Sequence, residues 1–233
     1  TDTCMTYSII ATDPASGAVG VATATGSVAV GGFVPHVRCG QGAIATQGAF
    51  TNWLYGDQGL ALLKEGLKAD QVRDQLIEAD EGQAQRQLIV CDRWGNTAGH
   101  TGSNNLDAKL HLCEPNFAVA GNMLNSTDIV LAMKRAFQQL SAAPLHDRLL
   151  AAMMEGERIG GDFRGTHSAA LKVHYPDKPP VDLRVDWAER DCIEQLKVLY
   201  HKTQSEPFQE FLAGVPTLAH PTKTGHVNRK EVR

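Results

Sequence analysis

The chain has 233 residues, of which 42% are hydrophobic and 21% are charged, and this ordinary composition excludes a disordered or collagen-like protein. A single domain of this length buries roughly 70–75% of the surface that its unfolded chain exposes. The 22 basic and 26 acidic residues give a net charge of −4, so we expect no nucleic-acid partner.

The lack of an export signal and the pattern of cysteines favour a cytoplasmic protein. No segment approaches the roughly 18 consecutive apolar residues of a membrane span, and the first residues lack the basic flank and apolar run of an export signal. The five cysteines are odd in number and form no C-x-x-C pair, which is typical of reduced thiols. We expect no metal site, and we interpret His111-x-Cys113 as two unrelated residues.

The first third of the chain predicts β-strands. Short apolar segments at residues 7–11 and 18–24 flank residues 13–17, whose Pro and Gly suit a hairpin turn. A glycine-rich stretch then leads to a third strand at residues 42–47. Glycine and alanine at this density indicate strands whose backbones approach one another closely.

Helical and strand patterns then alternate in groups. Apolar periodicity predicts five helices, at residues 55–67, 69–79, 126–140, 145–159 and about 189–212. Strands are predicted between them, at residues 86–91, 96–101, 117–120, 167–175 and 181–186. Paired helices between groups of strands favour a layered α+β fold with antiparallel sheets over a doubly wound parallel sheet. We expect one domain over residues 1–215 and an extended arm over residues 216–233.

No common catalytic motif is present, but three polar places stand out. Asp162 and Arg164 lie in a glycine-flanked loop and form either an anion-binding edge or a structural pair beside a helix cap. Asn122 either donates to an oxyanion or belongs to a turn. His36 is either a general base or a satisfied structural histidine, and Thr46 with Gln47 either lines a site or caps a strand.

Several blocks of the sequence resemble a known family. They are T-Y-S-I-I-A at 6–11, D-P-x-x-G at 13–17, V-P-H at 34–36, G-A-I-A-T-Q at 42–47, G-N-M-L at 121–124, G-G-D-x-R-G at 160–165 and S-A-A-L at 168–171. They are similar to an uncharacterised family, domain of unknown function ten twenty-eight, which is grouped with the N-terminal-nucleophile (Ntn) hydrolases. The resemblance implies a four-layer αββα sandwich, in which two stacked antiparallel sheets are covered by helices.

The resemblance also implies a nucleophile. In Ntn hydrolases the first residue of the mature chain attacks the substrate, and its own α-amine serves as the base. Here Thr6 heads the first strand, and an α-amine with a pKa of about 7.7–8.0 suits this task. Residues 1–5 leave three alternatives. Met5 is the initiator and is removed, the segment is cleaved autocatalytically, or it stays attached and leaves Thr6 without a base. In the last case Thr6 is an ordinary strand residue.

Further roles follow from the resemblance and from position. Asn122 is expected to donate to the oxyanion, Asp162 and Arg164 to position the amine or bind a substrate carboxylate, and Ser168 to relay protons. We expect the substrate to contact four residues: Thr25, His36, Thr46 and Gln47. No lysine is placed like that of proteasome-type members, since the first lysine, Lys64, falls in a predicted helix.

The sequence therefore predicts an Ntn-type amidohydrolase that cleaves a small amide or peptide-like bond through a Thr6 acyl-enzyme, without a metal or organic cofactor. The alternative is a catalytically inactive Ntn-fold protein that binds a small ligand or serves as an oligomeric scaffold. In either case we expect a homo-oligomer in the cytoplasm.

Overall fold

The computed structural model describes residues 6–160 and 165–225. Within this part the chain forms two antiparallel sheets and six α-helices, so the predicted α+β class with two antiparallel sheets is confirmed. None of the helices in these ranges is long and apolar enough to cross a membrane.

The larger sheet has six strands in the order β10-β9-β2-β1-β8-β7. Their bounds are β1 Thr6–Asp13, β2 Ala18–Thr25, β7 Leu110–Glu114, β8 Phe117–Asn122, β9 Ser168–His174 and β10 Val181–Val185. The predicted turn at residues 13–17 closes the β1–β2 hairpin, where Gly17 has a φ of +69°. Strand β1 lies at the centre, between β2 and β8.

The smaller sheet has four strands in the order β3-β4-β5-β6. They are β3 Pro35–Arg38, β4 Gly42–Gln47, β5 Gln87–Asp92 and β6 Thr97–Thr101. The helices are α1 Leu54–Lys64, α2 Ala69–Glu78, α3 Asp128–Gln139, α4 Leu145–Ile159, α5 Cys192–Thr203 and α6 Glu206–Gly214.

Alternation along β1 divides the core around the larger sheet. Tyr7 and Ile9 point to one face, where they pack with apolar residues of α3, α4 and α5. Ile10 points to the opposite face, where it packs with Ala43 and Ile89 of the smaller sheet. The outer face of the smaller sheet is covered by α1 and α2. The helices contribute five buried residues that pack against Ile44 of β4: Tyr55, Leu63, Ala69, Val72 and Leu76. Strand β1 therefore has one face toward helices and one toward the second sheet.

Two features of the fold differ from the prediction. The single helix predicted at about 189–212 is divided into α5 and α6. Pro207, in the first turn of α6, has no N–H group to donate to the carbonyl of residue 203, so a continuous helix is interrupted there. Strands β3 and β7 were not predicted, and both lie at sheet edges where only part of their surface is buried. Beyond α6, the Ala219 amide donates to the Pro176 carbonyl, so part of the predicted arm contacts the β9–β10 connection.

We expect Ile44→Ala to reduce the free energy of unfolding by about 2–5 kcal/mol, because Ile44 of β4 is fully buried against the two covering helices. Chemical denaturation measures the change. Val28→Ala is the control, since Val28 is 62% exposed and its truncation is expected to change stability by no more than about 0.5 kcal/mol. Equal losses for the two variants would contradict the assignment of Ile44 to the core.

Candidate active site

Four polar side chains form a row across the larger sheet at one end. Thr6 of β1 pairs with Asn122 of β8 on one side and with Thr25 of β2 on the other, and Thr25 pairs with Ser168 of β9. All four side chains lie on the same side of the larger sheet as Ile10, so they face the smaller sheet. They are 0–4% exposed. We call these residues the threonine row.

Thr6 is held at the head of β1 by its own hydroxyl and carbonyl. Its Oγ1 donates to Thr25 Oγ1 at 3.4 Å, and its carbonyl accepts from Gln47 Nε2 at 3.2 Å. Ser8, two residues further along the same face, lies 2.8 Å from Thr23 Oγ1 and donates to Gln47 Oε1 at 2.5 Å. The structure thus brings Thr25 and Gln47 to Thr6.

A second polar row, on the smaller sheet, faces the threonine row. Register places Gln47 of β4 beside Gln87 of β5, and Gln87 beside Thr101 of β6. Gln87 Oε1 accepts from Gln47 Nε2 at 2.7 Å and from Asn122 Nδ2 at 2.9 Å. We call these three residues the glutamine row. Its central member, Gln87, joins the two sheets directly.

The nitrogen of Gln87 is also fully engaged. Gln87 Nε2 donates to the Gly121 carbonyl at 2.9 Å, to Thr101 Oγ1 at 2.9 Å and, more weakly, to the Leu110 carbonyl at 3.3 Å. Thr101 Oγ1 lies 2.8 Å from His111 Nδ1, and burial lowers the pKa of His111. The amide of Gln87 is therefore fixed in position by both of its ends.

Ser168 completes the threonine row but holds a loop. Its Oγ donates to the Ser27 carbonyl at 2.6 Å and accepts from the Val30 amide at 3.0 Å. These contacts fix the segment after β2 against the start of β9. Asp162 and Arg164 lie outside the described residues.

The structure does not bring His36 and Thr46 to Thr6, because both face the helices on the outer side of the smaller sheet. The His36 ring packs against Gly56 of α1, where an added Cβ would come within 2.1 Å of the ring. His36 Nε2 donates to the Phe33 carbonyl at 3.1 Å, and burial lowers the pKa of His36. Thr46 Oγ1 donates to the Asn52 carbonyl at 2.8 Å. These two residues support the adjacent loop and helix.

An ionic cluster fixes the loop that follows Gln47. Asp80 accepts from Tyr55 Oη at 2.7 Å, from Arg86 Nε at 3.0 Å and from the Gly82 amide at 2.8 Å. Arg86 also donates to the Phe50 carbonyl at 2.7 Å. Burial alone would raise the pKa of Asp80, but the hydrogen bonds from Arg86, Tyr55 and Asn52 outweigh it and hold that pKa well below its usual range.

Four residues of the site have no predicted role: Ser8, Thr23, Gln87 and Thr101. The sequence does contain a signal for Gln87. It begins the apolar strand Gln87-Leu88-Ile89-Val90-Cys91, and its side chain lies on the same side of that strand as the inward-facing Ile89. A buried glutamine on that face requires polar partners. Within the described ranges, no group of three His, Cys, Asp or Glu side chains is placed to hold a metal ion.

We expect Gln87→Leu to lower the free energy of unfolding by at least about 2 kcal/mol, because it leaves buried groups of Gln47, Asn122 and Gly121 without partners. Urea denaturation measures this loss. Gln75→Leu, the same substitution on the exposed face of α2, is expected to change stability by no more than about 0.5 kcal/mol. A fully stable Gln87→Leu protein would show that the sheets do not depend on this amide.

We expect Asp80 to make stability depend on acid pH. Its pKa in the folded protein is lower than the ordinary value of about 3.9. Its stabilising effect is therefore complete above that value and is lost as the pH falls below about 4 toward the folded-state pKa. Asp80→Asn should have a lower free energy of unfolding than the original chain at pH 7, and the difference between these two free energies should become smaller as the pH falls. Denaturation curves between pH 7 and pH 2 measure it, with the exposed Asp74→Asn as the control; a constant difference would contradict this role.

Comparison with known proteins places the chain in a family. The sequence model of a family of unknown function, DUF1028, matches residues 6–196, which confirms the predicted resemblance. The chain is similar to the crystal structure of protein SPO2555 from Silicibacter pomeroyi, described under the same family name, with 36% identity, a TM-score of 0.90 and coverage of 95% of this chain and 100% of that one. No curated protein gives a significant match. Since the family model matches well over half of the chain, including both polar rows, the chain belongs to the DUF1028 family of unknown function.

Proposed function

We propose that the protein is an N-terminal-nucleophile amidohydrolase with a four-layer αββα sandwich, and that Thr6 is its nucleophile. One observation carries this proposal. Thr6 heads the central strand of the larger sheet, and its hydroxyl faces the space between the sheets, with Asn122 and Thr25 beside it. A fold alone does not determine an activity, so the proposal depends on this placement of the hydroxyl.

The reaction would proceed in two steps. Thr6 Oγ1 attacks the carbonyl carbon of a small amide, and its proton passes to the α-amine of Thr6 and then to the leaving nitrogen as the C–N bond breaks. A water molecule then attacks the ester of Thr6, which releases the acid and restores the hydroxyl. Thr6, water and the substrate supply every atom and proton of this sequence, so the proposal needs no metal or organic cofactor.

Within the site, the proposal gives the remaining residues distinct tasks. Thr25 and Gln47 contact Thr6 and hold it in place. Ser168 orders the segment after β2, and Asp162 and Arg164 remain candidates for binding a substrate carboxylate. His36 and Thr46 have no contact with substrate in this proposal, because they lie on the outer face of the smaller sheet.

The mechanism requires a free α-amine on Thr6, so the Met5–Thr6 peptide bond must be absent from the active form. An N-terminal threonine generated by removal of Met5, or by cleavage before residue 6, meets this requirement equally. The amine then lies in a buried row, where its protonation depends on the side chains around it.

A closed site favours a second candidate, an inactive member of the fold that binds a ligand or serves as a scaffold. Thr6 is only 4% exposed, and its hydroxyl already donates to Thr25. Lys64, the first lysine of the chain, lies at the exposed end of α1 and not in either row.

For both candidates we propose a homo-oligomer, supported by exposed aromatic side chains on α6, namely Phe208 and Phe211.

We expect a β-lactone probe to acylate Thr6 in protein that begins at that residue. Thr6 Oγ1 would attack the lactone carbonyl, the ring C–O bond would break, and the intact mass would rise by one lactone. Thr6→Val, which keeps the shape of the side chain but lacks the hydroxyl, should lose labelling at least about a hundredfold. Peptide mapping by mass spectrometry locates the adduct.

Thr12→Val is the matched control, because Thr12 is buried at the opposite end of β1 and its loss should leave the labelling unchanged. Protein produced from its own start codon is weighed intact in parallel. A chain that retains residues before Thr6 and is not labelled would favour the scaffold, and labelling that persists in Thr6→Val would contradict the nucleophile.

A further inference from the structure

Asn122 carries an unusual buried atom. Its side chain is fully buried, and its Oδ1 has no hydrogen-bond partner among the described residues. Buried side-chain polar atoms are nearly always satisfied, because burial removes the water that would otherwise bond them. A hydrogen-bond donor to Asn122 Oδ1 is therefore missing within the threonine row.

The orientation of the Asn122 amide follows from its neighbours. Gln87 Nε2 faces the carbonyls of Gly121 and Leu110, which can only accept, so this end of the Gln87 amide must be its nitrogen. Gln87 Oε1 then faces Asn122 and can only accept. Asn122 must therefore present Nδ2 to Gln87, since a reversed amide would place two oxygens in contact. This leaves Oδ1 as the end of Asn122 without a partner.

Thr6 lies directly across the β1–β8 ladder from Asn122, and their side chains share a face. Paired residues of this kind have Cβ atoms about 4.5–5.5 Å apart. Removal of the Met5–Thr6 bond replaces a peptide N–H by an ammonium group with three N–H donors at the same place. The buried site thus lacks a donor where processing creates new ones.

Other groups around Thr6 are already engaged or uncharged. Gln87 Oε1 accepts two hydrogen bonds, and Thr25 Oγ1 accepts the Thr6 hydroxyl. Neither polar row contains a charged side chain. Among the titratable groups of the described residues, His111 lies one hydrogen bond beyond Thr101, and Glu157 of α4 accepts from Tyr7 on the opposite face of β1. Asp162 and Arg164 lie outside the described residues.

We propose that Asn122 is the positioning residue for the Thr6 α-amine, and that its Oδ1 accepts a hydrogen bond from the α-ammonium group once Thr6 is the first residue. This inference rests on the proposed function. It gives Asn122 a role different from the predicted oxyanion donor, because the oxygen of its amide, and not the nitrogen, lacks a partner. The contact would stabilise the charged form of the amine and orient its lone pair after deprotonation.

The test measures the amine directly and needs no substrate. Residues 6–233, labelled with ¹⁵N-threonine, are released from a fusion by a protease that cleaves before Thr6. Every described strand and helix is present in this chain. The ¹⁵N shift of the α-amine is followed against pH and assigned by comparison with Thr6→Ser. We expect Asn122→Leu to lower the amine pKa by about one unit, because it removes the acceptor. Asn122→Thr, whose hydroxyl can both donate to Gln87 Oε1 and accept from the amine, should leave the amine pKa near its original value.

Thr12→Val is the matched control, since it removes a buried polar group at the end of β1 far from Thr6 and should leave the amine pKa unchanged. If Asn122→Leu does not fold, Asn122→Val, which has the shape of threonine but no acceptor, carries the test. An amine pKa that moves in neither Asn122→Leu nor Asn122→Val, or a chain beginning at Thr6 that does not fold, would overturn the inference. A shift without any β-lactone labelling would leave the inference standing and reject the proposed function instead.

Discussion

The amide of Gln87 is the constraint on which the candidate site depends. Together with Gln47, it joins the two sheets by hydrogen bonds at the end where Thr6 lies, whereas the centre of the interface is packed through apolar side chains. An amide can satisfy this position only in one orientation, because two of its neighbours are carbonyls that cannot donate. Because Gln87 Oε1 then accepts from both Asn122 Nδ2 and Gln47 Nε2, the orientation of the Gln87 amide determines the orientation of Asn122 and the position of Gln47.

The polar end of the interface has a consequence for specificity. Apolar contacts such as those of Ile10 and Ile89 tolerate small shifts between sheets, whereas a buried amide that loses a partner is strongly destabilising. Gln87 therefore fixes the relative position of the sheets at the end where Thr6 lies. The Asp80 cluster has a similar effect on the loop after Gln47, since it joins α1, the segment before β5 and the Phe50 carbonyl.

Much of this arrangement could be predicted from sequence, because alternation along a strand is a local property. It places Thr6 with Ile10, and Gln47 on the face opposite to that of Ile44. The same parity places Thr46 outward, with Ile44, which separates it from Thr6. His36 could not be assigned in this way, since β3 is a short edge strand without a clear pattern, and only its pairing with Ile44 shows which face it occupies. The role of Gln87 depended on register between distant strands, which no local pattern contains.

The two proposed functions make different demands on the same hydrogen bonds. A scaffold needs the sheets to be joined, and Gln87 with Gln47 already achieves this without the free oxygen of Asn122. An apolar side chain of similar size at residue 122 would serve such a scaffold without an unsatisfied buried acceptor. An enzyme that uses the α-amine of Thr6 has a reason to keep that oxygen, because its mature form supplies the missing donor. Unsatisfied polar groups of this kind are expected at functional sites, where local stability is exchanged for chemistry.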